Sequence, residues 1–225
     1  MAKMYLVRHA QASFGAENYD KLSDMGIEQS KHIPKHFDIA SDTVQGLYRG
    51  DMLRHHETLV HSFGDMPAII DAKWNEFDHE NVLRVHRPEI ADREKAAAMV
   101  MSQPNPKKFL EDEFEIAMMK WMTEEGTTSY NEPFKLFKER TLHALNNAIA
   151  IARKEKQREV VIITSGGVIA FIAAHLLDAP LQKMAGLNLS VVNTSVTALL
   201  FNDEKVSLSY FNNYSHLPKE MVTYI

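Results

Sequence analysis

The chain has 225 residues, 45% of them hydrophobic and 24% charged, with 25 basic side chains against 30 acidic ones. This composition suits one large globular domain with length enough for a sizeable core, and it excludes disordered and collagen-like chains. The absence of cysteine excludes disulfides, thiolate zinc sites and cysteine nucleophiles, and a net charge of -5 with the two signs interspersed offers no basic footprint for nucleic acid or an anionic membrane.

The first residues, Met1-Ala2-Lys3-Met4, lead into a strand-like stretch without the apolar core of a secretory signal. No run of about 18 apolar residues follows anywhere, so a cytoplasmic protein with no membrane partner is the expectation. Met4-Tyr5-Leu6-Val7 is a short apolar run bounded by charge and reads as a strand whose C-terminal end carries Arg8 and His9. Ser23 is a good N-cap with Asp24 in the first turn, so a helix starts there, and it should weaken near Pro34. Val44 to Tyr48 reads as a second strand and, beyond the Arg49-Gly50 break, Met52 to His61 as another helix. The order β-α-β-α points to a parallel sheet.

From about Trp74 to Tyr130 the chain changes character, with Trp121, Met118, Met119 and Met122 interleaved with acidic clusters such as Glu111-Asp112-Glu113. A helical lid insertion at about 76–130 within a single domain spanning 1–225 is the expectation. Asn131 and Pro133 start a long helix whose Phe134, Phe137, Thr141, Leu145, Ala148 and Ala152 recur on one face. Glu159 to Ile163 is apolar on both faces after its entry residue, as in a central parallel strand, and Thr164-Ser165-Gly166-Gly167 turns into a helix from Val168 to Leu177. Two last strands, Thr194 to Phe201 and Val206 to Phe211, are joined by the plausible hairpin Asn202-Asp203-Glu204-Lys205.

Charged groups cluster just after predicted strands or at helix starts, where open α/β sheets bind ligands. Arg8 and Arg54 would hold phosphate oxygens with their guanidinium forks, and Ser165-Gly166-Gly167 would add the amide groups and positive end of a helix. In that pocket a neutral His9 nitrogen is a nucleophile, because the arginines disfavour its protonation, and the product would be a phosphohistidine. A leaving alcohol then needs a proton. Glu76 leads as its source, with Asp78 and Glu80 left open by spacing alone. His55, His56 and His61 do not reproduce a metal-ligand spacing, and no G-x-G-x-x-G follows the first strand, so no metal and no cofactor are expected.

At these residues the chain resembles the histidine phosphatase superfamily, the phosphoglycerate mutase-like proteins. Leu6-Val7-Arg8-His9-Ala10, Leu53-Arg54-His55-His56-Glu57-Thr58 and Asn75-Glu76 are similar to its phosphate-binding and proton-donor segments. Tyr19-Asp20-Lys21-Leu22-Ser23-Asp24-Met25-Gly26 and Asn193-Thr194-Ser195-Val196-Thr197 follow the same order. The resemblance implies a three-layer α/β/α sandwich with a mostly parallel central sheet and a helical insertion. It also implies a transient phosphohistidine at His9, phosphoryl binding by Arg8 and Arg54, and Glu76 as acid and then base.

Two positions depart from that pattern. Ala10 stands where glycine is usual, and Ser165 stands where a second pocket histidine is usual. A hydroxyl donates one neutral hydrogen bond and brings no charge, a deficit of order 1 kcal/mol, or about tenfold in rate, unless His55, His56 or His79 restores the charge. The leading expectation is a metal-independent phosphatase of a small phosphorylated substrate. Mutase-type phosphotransfer ranks lower because Gln11-Ala12-Ser13-Phe14-Gly15 lacks the mutase-like Trp-Asn pattern. A catalytically weak phospho-ligand-binding protein is the non-enzyme alternative, and a homodimer stays open.

Overall fold

The computed structural model describes residues 1–13, 20–37, 44–124 and 129–224. Strand β1 (Ala2–Arg8) sets the layers: Met4 and Leu6 face one side, Tyr5 and Val7 the other, and all four are buried. A strand apolar on both faces needs a covering layer on each. In β4 (Glu159–Thr164), Val160 and Ile162 join the cluster of Met4 and Leu6, while Val161 and Ile163 join Tyr5 and Val7.

The second cluster is closed by Ile33 and Phe37 of α2 (Ile33–Phe37) and Leu59 of α3 (Leu53–Phe63). The first is closed by Ala144, Leu145 and Ala148 of α7 (Phe134–Lys154) and Val168, Ile169 and Ile172 of α8 (Gly166–Leu176). Val82 of α4 (His79–His86) and Met118, Trp121 and Met122 of α6 (Pro106–Thr123) extend that cluster, with Trp121 stacked on Phe77 at 4.6 Å between ring centroids. Helix α5 (Arg93–Met101) lies between α4 and α6 in sequence. The result is a three-layer α/β/α sandwich.

With β2 (Gly46–Arg49), β3 (Ile69–Ile70), β5 (Val196–Phe201) and β6 (Val206–Asn213), the described residues form a sheet of order β3-β2-β4-β1-β5-β6. β1 and β2 flank β4 in parallel, β3 is parallel to β2, and β5 and β6 each run antiparallel to their inner neighbour. Arg8 is in register with Thr164, and Arg49 with Ile163, so the C-terminal ends of β1, β2 and β4 share one sheet edge.

Some boundaries differ from expectation for identifiable reasons. Ser23 caps α1 (Asp24–Ser30) by accepting the Gly26 N–H at 3.0 Å, but Pro34 does not weaken that helix; it is the second residue of α2. A first-turn proline forfeits no helical hydrogen bond. Helix α8 starts at Gly166, two residues before Val168, because Ser165 already has the extended backbone of an N-cap. Two elements carried no signal in the sequence: β3 is two exposed residues long, and α9 (Leu181–Ser190) buries only Met184 and Ala185, too little for an apolar stripe. Phe14 and Gly15, on which the mutase comparison partly rests, and Tyr19 lie outside the described residues. Among the described residues no helix is long and apolar enough to cross a membrane.

Candidate active site

His9 follows β1 directly and is 6% exposed. Its backbone is fixed on both sides: the N–H donates to the Thr164 carbonyl at 2.8 Å, and the carbonyl accepts from Asn193 Nδ2 at 3.3 Å. Nδ1 lies 2.8 Å from the Ala10 carbonyl, which can only accept, so Nδ1 carries the hydrogen and Nε2 the lone pair. The Nε–H of Arg54 donates to that lone pair at 3.2 Å. Burial, then the positive charges of Arg54 and Arg8, hold the His9 pKa well below the ordinary histidine value. The imidazole is therefore neutral near pH 7.

Arg54 is delivered by the first turn of α3. That helix has Met52 at its N-cap position and no side-chain cap of its own; Asp20 supplies one, its Oδ2 accepting the Leu53 N–H at 2.7 Å. The other Asp20 oxygen pairs with Arg54 Nη1 at 2.6 Å. Buried Thr58, one turn on, donates to the Arg54 carbonyl at 2.7 Å and accepts the Ala10 N–H at 3.0 Å, tying the helix to the loop after His9. Arg8 ends β1, and its Nη1 donates to the carbonyls of Val191 and, at 2.8 Å, Tyr224. Beside it Thr194, a β-branched residue, sits at φ 61° and donates its N–H to the Arg8 carbonyl at 3.1 Å. Such residues rarely occupy the left-handed region, and this one does so against the strand end that carries Arg8 and His9.

Ser165 occupies the N-cap position of α8, yet its hydroxyl makes no cap bond to the helix; it pairs with His55 Nε2 at 2.8 Å. The Gly167 N–H donates instead to Glu76 Oε2 at 3.0 Å, and the Phe77 N–H to Oε1 at 3.2 Å. A carboxylate at a helix amino end is favoured by the partial positive charge there. One amide expected to face a phosphate is thus engaged by Glu76. A Cβ on residue 167 would stand 2.3 Å from Glu76 Oε1, which explains the glycine. Asp78 is exposed and caps α4 through the Asn81 N–H at 2.9 Å, and Glu80 is exposed. Of the three acids, Glu76 is the one at the amino end of α8.

Of the histidines offered to the pocket, His55 is fully buried, its ring centroid 5.6 Å from that of His9. His56 is exposed on the next helical position. His79 is half-buried, its pKa held below the ordinary value by burial against an opposing pull from Glu76. No group of three histidine or carboxylate side chains converges as a metal site among the described residues.

The sequence pattern gave no role to Asp20, Thr58 or Arg140. Arg140 of α7 donates to the carbonyls of Lys73 and Asn75 at 2.9 and 2.8 Å and pairs with Glu132, fixing the turn that ends in Glu76. Each makes a contact far along the chain, Asp20 to Leu53, Thr58 to Ala10 and Arg140 to Lys73, and the local signals are that Asp20 and Thr58 lie in the segments Tyr19–Gly26 and Leu53–Thr58 quoted above. Two arginines, a neutral imidazole whose one lone pair points at the Arg54 guanidinium and a carboxylate at a helix amino end form a site suited to accepting a phosphoryl group on nitrogen.

Comparison with known proteins identifies the family and the fold. The family model for the histidine phosphatase superfamily (branch 1) matches residues 4–214. No curated protein matches the chain. Among solved structures, a phosphoserine phosphatase mutant from Entamoeba histolytica in complex with phosphoserine aligns with a TM-score of 0.66 at 15% identity, covering 97% of this chain and 100% of that one. Phosphoglycerate mutase from Bacillus anthracis aligns with a TM-score of 0.66 at 17% identity, covering 96% and 94%. A mycobacterial glucosyl-3-phosphoglycerate phosphatase in complex with VO3 aligns at 0.63 and 16% identity, covering 95% and 100%. At these identities the structural likeness shows a shared fold.

Proposed function

Since this chain belongs to the histidine phosphatase superfamily (branch 1), we propose that it is a metal-independent phosphatase that hydrolyses a small phosphomonoester through a phosphohistidine at His9. The observation that carries this reading is the His9 tautomer: Nδ1–H is fixed by the Ala10 carbonyl, leaving the Nε2 lone pair directed at a guanidinium where a phosphoryl group would bind. Structurally similar proteins named for phosphoserine and glucosyl-3-phosphoglycerate support a small, anionic phosphoester as the substrate class.

In this mechanism Arg8 and Arg54 hold the phosphoryl oxygens, and Arg54 leaves His9 Nε2 as it does so. Nε2 attacks phosphorus while the P–O bond to the alcohol breaks, and Glu76, in its acid form, gives the leaving oxygen its proton. Glu76, now a carboxylate, takes a proton from the water that attacks the phosphohistidine, so phosphate leaves and Nε2 regains its lone pair. Its anchoring to the Gly167 N–H keeps the acid beside the helix end that would face the phosphoryl group.

The test is hydrolysis of p-nitrophenyl phosphate in the presence of EDTA by the wild type and by His9→Ala. We expect turnover in the first and a loss of at least about a thousandfold in the second. Vanadate binding with no turnover across a broad phosphoester panel would instead favour the phospho-ligand-binding alternative, and activity retained by His9→Ala removes the mechanism.

A further inference from the structure

We infer that His55 is a positioning residue of the phosphoryl site: its Nε2–H holds the Ser165 hydroxyl so that the hydroxyl's own hydrogen is donated to a phosphoryl oxygen bound beside His9. This rests on the phosphoryl-transfer reading of the site and assigns a task to two residues that the mechanism above leaves unused.

The pair is built rather than incidental. Both residues have zero solvent exposure, and Oγ and Nε2 are 2.8 Å apart across 110 positions of sequence. A serine at a helix N-cap ordinarily turns its oxygen to the helix amides, and Ser165 does not. His55 neighbours Arg54 in the first turn of α3, so the turn that delivers the guanidinium to His9 also delivers this imidazole, 5.6 Å from the His9 ring. The ring is enclosed: a Cβ on Gly50 would stand 2.3 Å from its Nδ1, so the end of β2 closes on it.

The direction of the hydrogen bond follows from the other nitrogen. His55 Nδ1 is buried with no partner among the described residues. If Nε2 carries the hydrogen, Nδ1 leaves only a lone pair unmatched, whereas the opposite tautomer strands a buried N–H, the rarer arrangement in proteins. Burial, with Arg54 and Arg49 nearby, keeps the ring neutral, so it has one hydrogen to give. Ser165 Oγ therefore accepts from His55, and its own hydrogen is left for a further acceptor, which we assign to a phosphoryl oxygen because the His55 ring lies 5.6 Å from that of His9. The pair supplies an oriented neutral donor at the end of β4.

The experiment is a double-mutant cycle on the full chain with His55→Ala, Ser165→Ala and the combined variant, plus His55→Gln, whose amide can donate to the same oxygen. The readouts are the Kd for orthovanadate by calorimetry, the kcat and KM for p-nitrophenyl phosphate, and the melting temperature. We expect each single variant to weaken vanadate binding about tenfold, the double variant to be no more than about twofold worse than either, and His55→Gln to recover most of the loss. Additive losses in the double variant, or wild-type vanadate affinity in Ser165→Ala, overturn the inference. Should His55→Ala fail to fold, Ser165→Ala and His55→Gln decide: an impaired Ser165→Ala with a near-normal His55→Gln supports the pair, and any other combination overturns it. Failure of the phosphatase reading shows separately, as turnover that survives His9→Ala, because vanadate binding does not require turnover.

Discussion

Arg54 Nε stands 3.2 Å from His9 Nε2 with its hydrogen on the histidine lone pair, so the nitrogen proposed as nucleophile is covered by the guanidinium proposed to bind the phosphoryl group. The same guanidinium is held from the other side by Asp20, 2.6 Å from Nη1. Phosphoryl binding has to draw Arg54 off His9 against whatever Asp20 contributes.

Asp20→Asn removes the carboxylate charge but keeps an oxygen for the Leu53 N–H. Because a partly exposed ion pair is worth about 0.2–1 kcal/mol, inorganic phosphate should inhibit this variant about two- to fivefold more tightly than the wild type. Product-inhibition kinetics measure this directly; unchanged or weaker inhibition rules out competition between Asp20 and phosphate for Arg54.

Gly167→Ala places a methyl group 2.3 Å from Glu76 Oε1 and 2.6 Å from Cε1 of the buried Phe77 ring. The carboxylate has to move from the amino end of α8. If Glu76 is the proton donor, kcat should fall by about ten- to a hundredfold with little change in vanadate affinity. Equal losses in both would place the damage in phosphate binding instead.

The buried imidazoles make stability depend on pH with a definite sign. His9 and His55 have folded pKa values well below the ordinary 6.5, and His216 is pushed down to about 4 by burial and by the nearby His36, His32 and Lys35. Below pH 6.5 the unfolded chain therefore binds more protons than the folded one, and stability present above that pH is lost as pH falls toward 4. Thermal melts between pH 7 and 4 should show this decline, shallower in His216→Gln. An NMR titration should place the His9 midpoint below the ordinary histidine value of 6.5; a midpoint at or above it would contradict the burial argument.

Much of the scaffold could be read from local pattern because the physics involved is local. The alternation Met4-Tyr5-Leu6-Val7, the doubly apolar run of β4 and the Ser23 cap each report on their own few residues. Where this failed, the missing information was not local. Strand β3 exists because a neighbour pairs with it, and α9 buries too little of its own surface to announce itself.

For the site, the sequence by itself determined the chemistry available: an arginine and a histidine at one strand end, an arginine at a helix start, a cluster of three acids, and no thiol. Its order along the chain also carried the family. Only the tertiary structure decided which groups meet. Glu76 rather than Asp78 or Glu80 reaches the amino end of α8 because Arg140 and the Gly167 amide fix its turn, whereas Asp78 is spent capping α4. His55 rather than His56 faces His9 because consecutive helical residues point about 100° apart, and only the packing of α3 on the sheet selects which direction is inward. Hydrogen bonds span about 3 Å in space whatever their separation in sequence, so a pair 110 positions apart, such as His55 and Ser165, leaves no trace in either neighbourhood until the chain has folded.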